Sequence, residues 1–212
     1  MLTTKTKVKI ARYLSKIVRA LRNVVGQSET AVVHRLGLNW RLDLKEGIDL
    51  AVYLSCYEQS TLSRYNEIVG QGATVLDIGA NIGVHALYVA RLIGPHGQVV
   101  AIEPTDFAFE KMQINLGLNP NIMPRVTLCQ TMLMSAADSP LPDEVVSSWP
   151  LATDKPSKTA LSGAYRSTNG AAIDTVDGLV ERLGLQRIDL IKLDVDGNEL
   201  EILMGATKTL SR

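Results

Sequence analysis

The stretch VLDIGANIG at residues 75–83 decides the predicted fold. Its first residues are an apolar run of the kind found in a buried parallel strand, and its glycines allow a tight turn into a following helix. The helix is predicted from about Gly83 to Ile93, where GPHG ends it. Ligands bind at the carboxyl ends of strands in open α/β sheets, so Asp77, Gly79 and Gly83 are candidate site residues.

Apolar strands and helices alternate onward from this turn. Three further strands are predicted, GQVVAIEP at 97–104, RVTLCQTML at 125–133 and IDLIKLDV at 188–195, and a helix follows the last from Asn198 to Leu210. This alternation predicts an α/β fold with a parallel sheet that is covered on both faces. Residues 135–172 interrupt it with four of the eight prolines, which predicts a long irregular loop.

Residues 1–57 are predicted as a separate N-terminal extension, and residues 58–212 as the main domain. A basic helix opens the extension. Two or three short antiparallel strands follow it, AVVHRLG at 31–37, LNWRLDL at 38–44 and IDLAVYLS at 48–55. A further helix is predicted from Gln59 to Val69.

Charge is unevenly distributed along the chain. Lys and Arg total 22, as do Asp and Glu, but residues 1–28 hold seven basic residues and no acidic one. The remainder has 15 basic against 22 acidic residues, which disfavours nucleic-acid binding by the body. The basic helix also carries an apolar face of Ile10, Leu14, Ile17, Val18, Leu21 and Val25. Residues 1–25 therefore either contact an anionic membrane surface or form a helix docked on its own domain through that face.

Two cysteines, Cys56 and Cys129, make no disulfide framework, which favours a reducing, cytoplasmic location. No stretch free of charged side chains exceeds 13 residues, too short for a membrane span. The start of the chain does not have the pattern of a secretory signal.

The charges of the site distinguish two nucleotide-like cofactors. Glu103 ends the second strand, 20 residues after Gly83, where an acid can accept hydrogen bonds from ribose hydroxyls. A dinucleotide such as NAD would need a glycine at Asn81, and Asp77 would repel its phosphates. S-adenosylmethionine has no phosphate, and its ammonium group suits an aspartate. The residues therefore favour S-adenosylmethionine, with an NAD-dependent reductase as an alternative.

The chain resembles the FkbM family of S-adenosylmethionine-dependent methyltransferases over about residues 35–206. The resemblance is carried by RLGLNWRLDLKEGIDLAVYL, YEQS, VLDIGANIGVHALYVA, GQVVAIEP, INLGLN and TVDGLVERLGLQRIDLIKLDVDGNELEILMGA. It implies a Rossmann-like α/β methyltransferase fold with a parallel sheet of strand order 3-2-1-4. It also implies methyl transfer, most often to a hydroxyl oxygen of a sugar or secondary metabolite. It also implies a cofactor site made of Asp77, Gly79, Ala80, Asn81, Gly83, Glu103, Thr131 and Met132, with Glu58 as an acid of unassigned role before the first strand. Asp196 departs from the glutamate found in many members.

A second group of polar residues follows the fourth strand: Lys192, Asp194, Asp196, Asn198 and Glu199. Asp194 is expected near the cofactor's reactive end, where it orients the sulfonium or accepts the acceptor's proton. Lys192 either takes part in catalysis or pairs with a buried carboxylate. The three acids could also hold a divalent metal, although capping of the next helix is the favoured interpretation.

His85, at the start of the helix after the glycine turn, is a candidate general base or a packed helix residue. Trp149, Tyr165 and Arg166 are candidate substrate contacts in or after the irregular loop.

Two questions stay open at this stage. A non-catalytic S-adenosylmethionine-binding or membrane-peripheral module is the alternative to an enzyme. The strand at 188–195 would be an edge although it is apolar on both faces, so we expect either a truncated methyltransferase or a partner chain, as in an oligomer, covering that strand.

Overall fold

The computed structural model describes residues 3–151 and 163–211, and the chain divides into two compact units. The first unit comprises Met1–Gln59 and Val146–Tyr165. The second comprises Ser60–Val145 and Arg166–Arg212. The segment 146–165, which the sequence assigns to the main domain, belongs to the first unit.

The first unit contains helix α1 (Thr4–Val24), strands β1 (Thr30–Arg35) and β2 (Leu38–Asp43), and helix α2 (Gly47–Tyr53). The strands form the predicted antiparallel hairpin, with Thr30 opposite Asp43 and Arg35 opposite Leu38. Trp40 is fully buried beneath it, and its Nε1 donates to the carbonyl of Arg35 at 2.9 Å.

The third predicted strand of the extension, IDLAVYLS, is wrong, because residues 47–53 form α2. Asp49 explains the difference, since its carboxylate accepts a hydrogen bond from the backbone N–H of Asp43 at 2.7 Å. This contact ties the first turn of α2 to the end of β2. Leu50 and Val52 pack into the core from the helix.

Helix α1 also differs from the docked helix described above. Its more buried side contains Val8, Ala11, Val18 and Arg19, all half-buried, and Ser15, which is 1% exposed and donates to the carbonyl of Leu44 at 2.7 Å. Of the predicted apolar face, Val18 is half-buried, whereas Ile10, Leu14, Ile17, Leu21 and Val25 are exposed. The polar groups on the docked side are paired, Ser15 with the carbonyl of Leu44 and Arg19 with Glu29.

The second unit is built on a parallel sheet. Its elements run α3 (Gln59–Ile68), β3 (Thr74–Ile78), α4 (Val84–Leu92), β4 (Gln98–Ile102), α5 (Asp106–Gly117), a 3-10 turn (Met123–Arg125) and β5 (Val126–Cys129). They continue with β6 (Thr131–Leu133), β7 (Glu144–Ser148), β8 (Ala164–Ser167), β9 (Ala172–Asp174), α6 (Val176–Arg182), β10 (Leu190–Leu193), α7 (Glu199–Met204) and α8 (Thr207–Leu210). Strands β7 and β8 cross between the two units.

The main sheet has the order β10-β3-β4-β5, with each neighbouring pair parallel. This is the predicted order 3-2-1-4, and the Rossmann-like α/β prediction is confirmed. Every residue of β3 is buried, as expected for a strand covered on both faces. The apolar core on one side of the sheet joins Leu76, Val100 and Ile102 to α6 through Leu179 and Val180.

The predicted third strand is two strands. β5 ends at Cys129, and after Gln130 the strand β6 leaves the main sheet to pair with β9. The carbonyl of Gln130 accepts a hydrogen bond from the N–H of Ala172 at 3.0 Å, which shifts the pairing to a new partner. An apolar run shows that a segment is buried but not which strand it pairs with.

The region predicted as an irregular loop, residues 135–172, contains β7 and β8, so that prediction is wrong for these segments, and β9 begins at its last residue. Residues 152–162 of the same region lie outside the described residues. The predicted last helix is also divided, because α7 ends before Gly205. A Cβ at Gly205 would lie 2.2 Å from the carbonyl oxygen of Met134, so only glycine allows this approach.

None of the described helices has both the length and the apolar character that crossing a membrane requires.

Candidate functional site

The glycine turn after β3 is held between the two neighbouring strands. The N–H groups of Gly79 and Ala80 both donate to the carbonyl of Ile102 on β4, at 3.0 and 2.9 Å. On the other side, a Cβ at Gly79 would lie 2.0 Å from the carbonyl oxygen of Asp194, which follows β10. Gly79 also has φ of +76°. The turn therefore requires glycine for its conformation and for the close approach of the β10 backbone.

Asn81 and Gly83 complete the turn with left-handed backbone angles, φ of +50° and +89°. Asn81 tolerates this conformation better than most residues, and its Oδ1 accepts from the N–H of Ile82 at 2.9 Å. A Cβ at Gly83 would lie 2.9 Å from a Leu87 methyl and 3.0 Å from Met112. The space beside Gly83 is thus filled by the protein's own side chains.

Asn115 on α5 supports the turn from below, and sequence reasoning gave it no role. Its side chain is fully buried, and Nδ2 donates to the carbonyl of Ile82 at 3.1 Å. Its own backbone carbonyl accepts from Nδ2 of Asn119 at 2.8 Å. Both asparagines lie in the INLGLN stretch, so this unusually amide-rich segment of a buried helix was the available signal.

Glu103 closes β4 and is 3% exposed. One carboxylate oxygen accepts from the N–H of Asn81 at 3.0 Å, and the other accepts from the N–H and hydroxyl of Thr105 at 3.1 and 2.5 Å. These three hydrogen bonds, with two on one oxygen and one on the other, fix the orientation of the carboxylate. Thr105 was not singled out from the sequence, although a threonine just after a strand-end acid and proline is a typical partner.

Asp77 lies near the end of β3 with its side chain 3% exposed. Lys192 of β10 is its register neighbour, and Lys192 Nζ lies 3.2 Å from Asp77 Oδ1 as an ion pair. Lys192 directs its shorter hydrogen bond to the carbonyl of Gly79, at 2.8 Å. Within the described part of the chain, neither oxygen of Asp77 accepts a hydrogen bond. Lys192 compensates the charge of this buried carboxylate, and acceptor sites without a hydrogen bond suit a ligand that brings N–H or O–H donors.

The polar residues after β10 lie toward solvent. The side chain of Asp194 is 65% exposed, with Oδ2 at 4.0 Å from Lys192 Nζ. Partial desolvation and the charges of Asp194 and Glu199 raise the pKa of Asp196, although the residue as a whole is exposed. Hydrogen bonds from backbone N–H groups, including that of Gly197, lower the pKa of Glu199. Asn198 precedes α7 at its N-terminus without a side-chain capping bond.

No cluster of three or more His, Cys, Asp or Glu side chains suited to a metal ion occurs among residues 3–151 and 163–211. The three acids after β10 therefore do not converge as a metal site in the described structure. The pKa shifts of Asp196 and Glu199 have opposite signs, because desolvation and then the neighbouring carboxylates act on Asp196, whereas backbone N–H donors act on Glu199.

His85 is buried on α4, at 4% exposed. Its Nδ1 lies 3.1 Å from the hydroxyl of Tyr65 on α3, and the two rings meet edge to face with centroids 5.7 Å apart. This geometry supports the packed interpretation, because a general base must reach its substrate's proton. Tyr65 is a partner that the sequence gave no means of finding.

The remaining predicted residues are dispersed. The sequence placed Thr131 and Met132 at the end of the third strand, but both are buried in β6, which follows β5. Glu58 is exposed at the start of α3 with φ of +32°, and it belongs to the first unit. Trp149 accepts a hydrogen bond from Gly47 through its carbonyl, and Tyr165 is 53% exposed. Arg166 lies with its guanidinium 3.9 Å above the Phe107 ring.

The family match covers the part of the chain that contains the glycine turn and the strand ends. The family model described as methyltransferase FkbM domain matches residues 77–212. Methyltransferase sdnD from Sordaria araneosa is 30% identical over 159 residues, 62% of this chain and 59% of sdnD. Hexuronic acid methyltransferase AglP from Haloferax volcanii is 29% identical over 157 residues, 72% of this chain and 58% of AglP. The matches thus span under two thirds of either relative.

A crystal structure of methyltransferase FkbM from Methylobacillus flagellatus aligns with this chain with a TM-score of 0.46 and 19% identity. The alignment covers 73% of this chain and 33% of the other.

Proposed function

Because the chain belongs to the FkbM methyltransferase family, we propose that it transfers the methyl group of S-adenosylmethionine to a hydroxyl oxygen of a small acceptor. One observation carries the choice of cofactor: Asp77 is buried beside the glycine turn with no hydrogen bond to its carboxylate. The similarity to AglP, a hexuronic acid methyltransferase, supports a sugar or a similarly hydroxylated secondary metabolite as the acceptor.

The residues around the turn fit this cofactor by chemistry. Asp77 would accept a hydrogen bond from the ammonium group of S-adenosylmethionine. Lys192 Nζ lies beside Asp77 Oδ1 and balances the charge of the carboxylate. Glu103, at the end of the adjacent strand, would accept from the ribose hydroxyls, with Thr105 and the N–H of Asn81 fixing its orientation. The backbone of Gly79, Ala80 and Gly83 would border the ligand, and Thr131 and Met132 are the proposed adenine neighbours.

A bound S-adenosylmethionine would supply an activated methyl group. The methyl–sulfur bond would break to leave S-adenosylhomocysteine as the new methyl–oxygen bond forms, and the proton of the acceptor hydroxyl would leave. Asp194 is the proposed proton acceptor or orienting group, since it is a solvent-reachable carboxylate at the end of β10. Lys192 would act by holding Asp77 and the carbonyl of Gly79 in place. His85 remains a weaker candidate base because it is buried against Tyr65. In-line placement of the reactants supplies most of the rate, so a modest base suffices.

The proposal extends to surroundings and partners. Both cysteines are free thiols, which supports a reducing, cytoplasmic compartment. The acidic balance of residues 29–212 disfavours nucleic acid as the acceptor.

In the described sheet β10 lies at an edge, and we propose that a second copy of the chain covers residues 188–195.

Calorimetry on the full chain tests the cofactor assignment. S-adenosylmethionine and S-adenosylhomocysteine should bind and NAD should not. Asp77→Ala and Glu103→Gln should each weaken S-adenosylhomocysteine binding about tenfold, the scale of a hydrogen bond to a charged group. Asp138→Ala removes an exposed carboxylate of the same unit and is the matched control.

Two results would contradict the proposal in different ways. NAD binding, or unchanged affinity in both site variants, would remove the cofactor assignment. Cofactor binding without formation of S-adenosylhomocysteine on any member of a sugar and alcohol library would favour a non-catalytic binding module.

A further inference from the structure

Among the described residues, helix α1 makes its hydrogen bonds to the rest of the first unit from one of its faces. Ser15 is buried and bonded to the carbonyl of Leu44. Arg19 Nε donates to Glu29 at 2.6 Å, and Lys45 forms an ion pair with the same carboxylate. These hydrogen bonds from Lys45 and Arg19 lower the pKa of Glu29, so the attachment is charged at neutral pH. Arg22 donates to the carbonyl of Ser28 at 3.0 Å.

The opposite face of α1 is apolar and exposed. Its members recur at three- and four-residue spacing, so they form one continuous row about 21 Å long. We call this row the exposed stripe: Ile10 at 44% exposed, Tyr13 at 67%, Leu14 at 37%, Ile17 at 38%, Leu21 at 64% and Val24 at 85%. Scattered apolar side chains on a surface need no explanation, but six on one helix face mark a contact site.

The charges beside the stripe identify the partner. Arg19 and Arg22 are engaged with the first unit, whereas Lys7, Lys9 and Lys16 are exposed. At 3.6 residues per turn these lysines lie along the two borders of the stripe. Residues 1–28 contain no acidic side chain to offset them. The surface that fits must therefore be apolar in the middle and anionic at both borders.

We propose that the exposed stripe lies on an anionic lipid surface, with its apolar side chains at the acyl boundary and Lys7, Lys9 and Lys16 among the headgroups. Lysine stems can pack along apolar surface while their ammonium groups reach anionic headgroups. A second copy of the chain fits less well, because pairing two stripes would bring lysine borders together without acidic partners. This inference does not depend on the proposed methyl transfer.

Vesicle flotation of the full chain tests the proposal. The protein should float with vesicles of phosphatidylcholine and phosphatidylglycerol, and much less with phosphatidylcholine alone or at high salt. Leu14→Glu with Leu21→Glu should lower partitioning at least about tenfold, because two charges enter the apolar boundary. Substituting the three lysines with glutamine should lower binding to the anionic vesicles selectively.

Val32→Glu is the matched control, since Val32 is an exposed apolar residue of β1 in the same unit, at 67%. It should leave flotation unchanged. Fluorescence of the fully buried Trp40 reports whether each variant keeps the fold of the first unit. Failure of the unmodified chain to float, or equal flotation of stripe and control variants, would overturn the proposal. The proposal would also be overturned if the stripe variants kept full flotation but had a lower mass in sedimentation than the unmodified chain. That result would identify a second copy of the chain as the occupant of the stripe.

Discussion

Gly79 and Gly72 have nearly the same backbone conformation and very different surroundings. Their φ angles are +76° and +75°, but a Cβ at Gly72 would meet nothing within 4 Å, whereas one at Gly79 would meet the carbonyl oxygen of Asp194 at 2.0 Å. Replacing Gly72 with alanine would therefore cost only the strain of a left-handed backbone, whereas the same change at Gly79 would add a steric clash with the backbone after β10.

We predict that Gly79→Ala costs about 1–3 kcal/mol more unfolding free energy than Gly72→Ala, because only Gly79 must also move a backbone carbonyl. Gly79→Ala should also weaken S-adenosylhomocysteine binding, since the β3 and β10 ends must separate. Denaturant unfolding with calorimetry on the same preparations measures both. Equal losses in the two variants would show that backbone strain alone makes glycine necessary.

The sequence placed Asp77 and Glu103 at the ends of neighbouring strands, as the structure does, but it did not give their partners. Asp77 and Glu103 are recognisable because each ends an apolar run. The pairing of Asp77 with Lys192 depends on the register of β3 with β10, over a separation that the sequence does not encode locally. Asn115 and Tyr65 act on the turn and on His85 from helices, so their contacts follow from packing alone.

At the level of elements, the short helix α8 depends on a side chain from α6. Asp177 accepts from the N–H of Lys208 at 2.9 Å and from the N–H and hydroxyl of Thr209 at 2.8 and 2.6 Å. Burial raises the pKa of Asp177, but the hydrogen bonds from Thr209 and Lys208 outweigh it and lower the pKa below its ordinary value of 3.8. The ionised carboxylate thus stabilises the first turn of α8.

We predict that Asp177→Asn lowers the unfolding free energy by about 1 kcal/mol at neutral pH, the usual scale for a helix cap. Because the folded pKa is the lower one, the contribution is present above the unfolded pKa and is lost as pH falls through the folded pKa. The difference from the unmodified chain should therefore be constant above about pH 5 and shrink below about pH 4. Glu181→Gln, exposed on α6, is the control. A difference independent of pH would exclude the carboxylate's charge as the cause.

At the scale of the whole molecule, each of the two units contains buried apolar residues of its own. Trp40, Leu42 and Leu44 are buried in the first unit, and Leu76, Val100 and Leu179 in the second. The proposed cofactor residues, except Glu58, all belong to the second unit. A ligand that binds only the folded form of one unit should stabilise that unit by mass action.

We predict that S-adenosylhomocysteine slows hydrogen exchange in β3 and β4 and leaves β1 and β2 unchanged. For amides that exchange through unfolding of the second unit, protection should rise about 100-fold at a ligand concentration 100 times Kd. Asp77→Ala with the same ligand concentration is the control. Equal slowing in β1 and β2 would mean that the two units unfold together.

The sequence by itself determined the alternation of strands and helices and the positions of Asp77 and Glu103, because burial and turn chemistry repeat over short distances along the chain. Only the tertiary structure decided that residues 47–53 form a helix, that β6 leaves the main sheet, and that α1 turns most of its apolar face outward. The last two depend on partners far along the chain, Ala172 for the start of β6 and Leu44 for α1, whereas α2 depends on the backbone of Asp43, which ends the neighbouring strand. Local pattern specifies which face of an element is apolar, whereas long-range hydrogen bonds specify what that face meets.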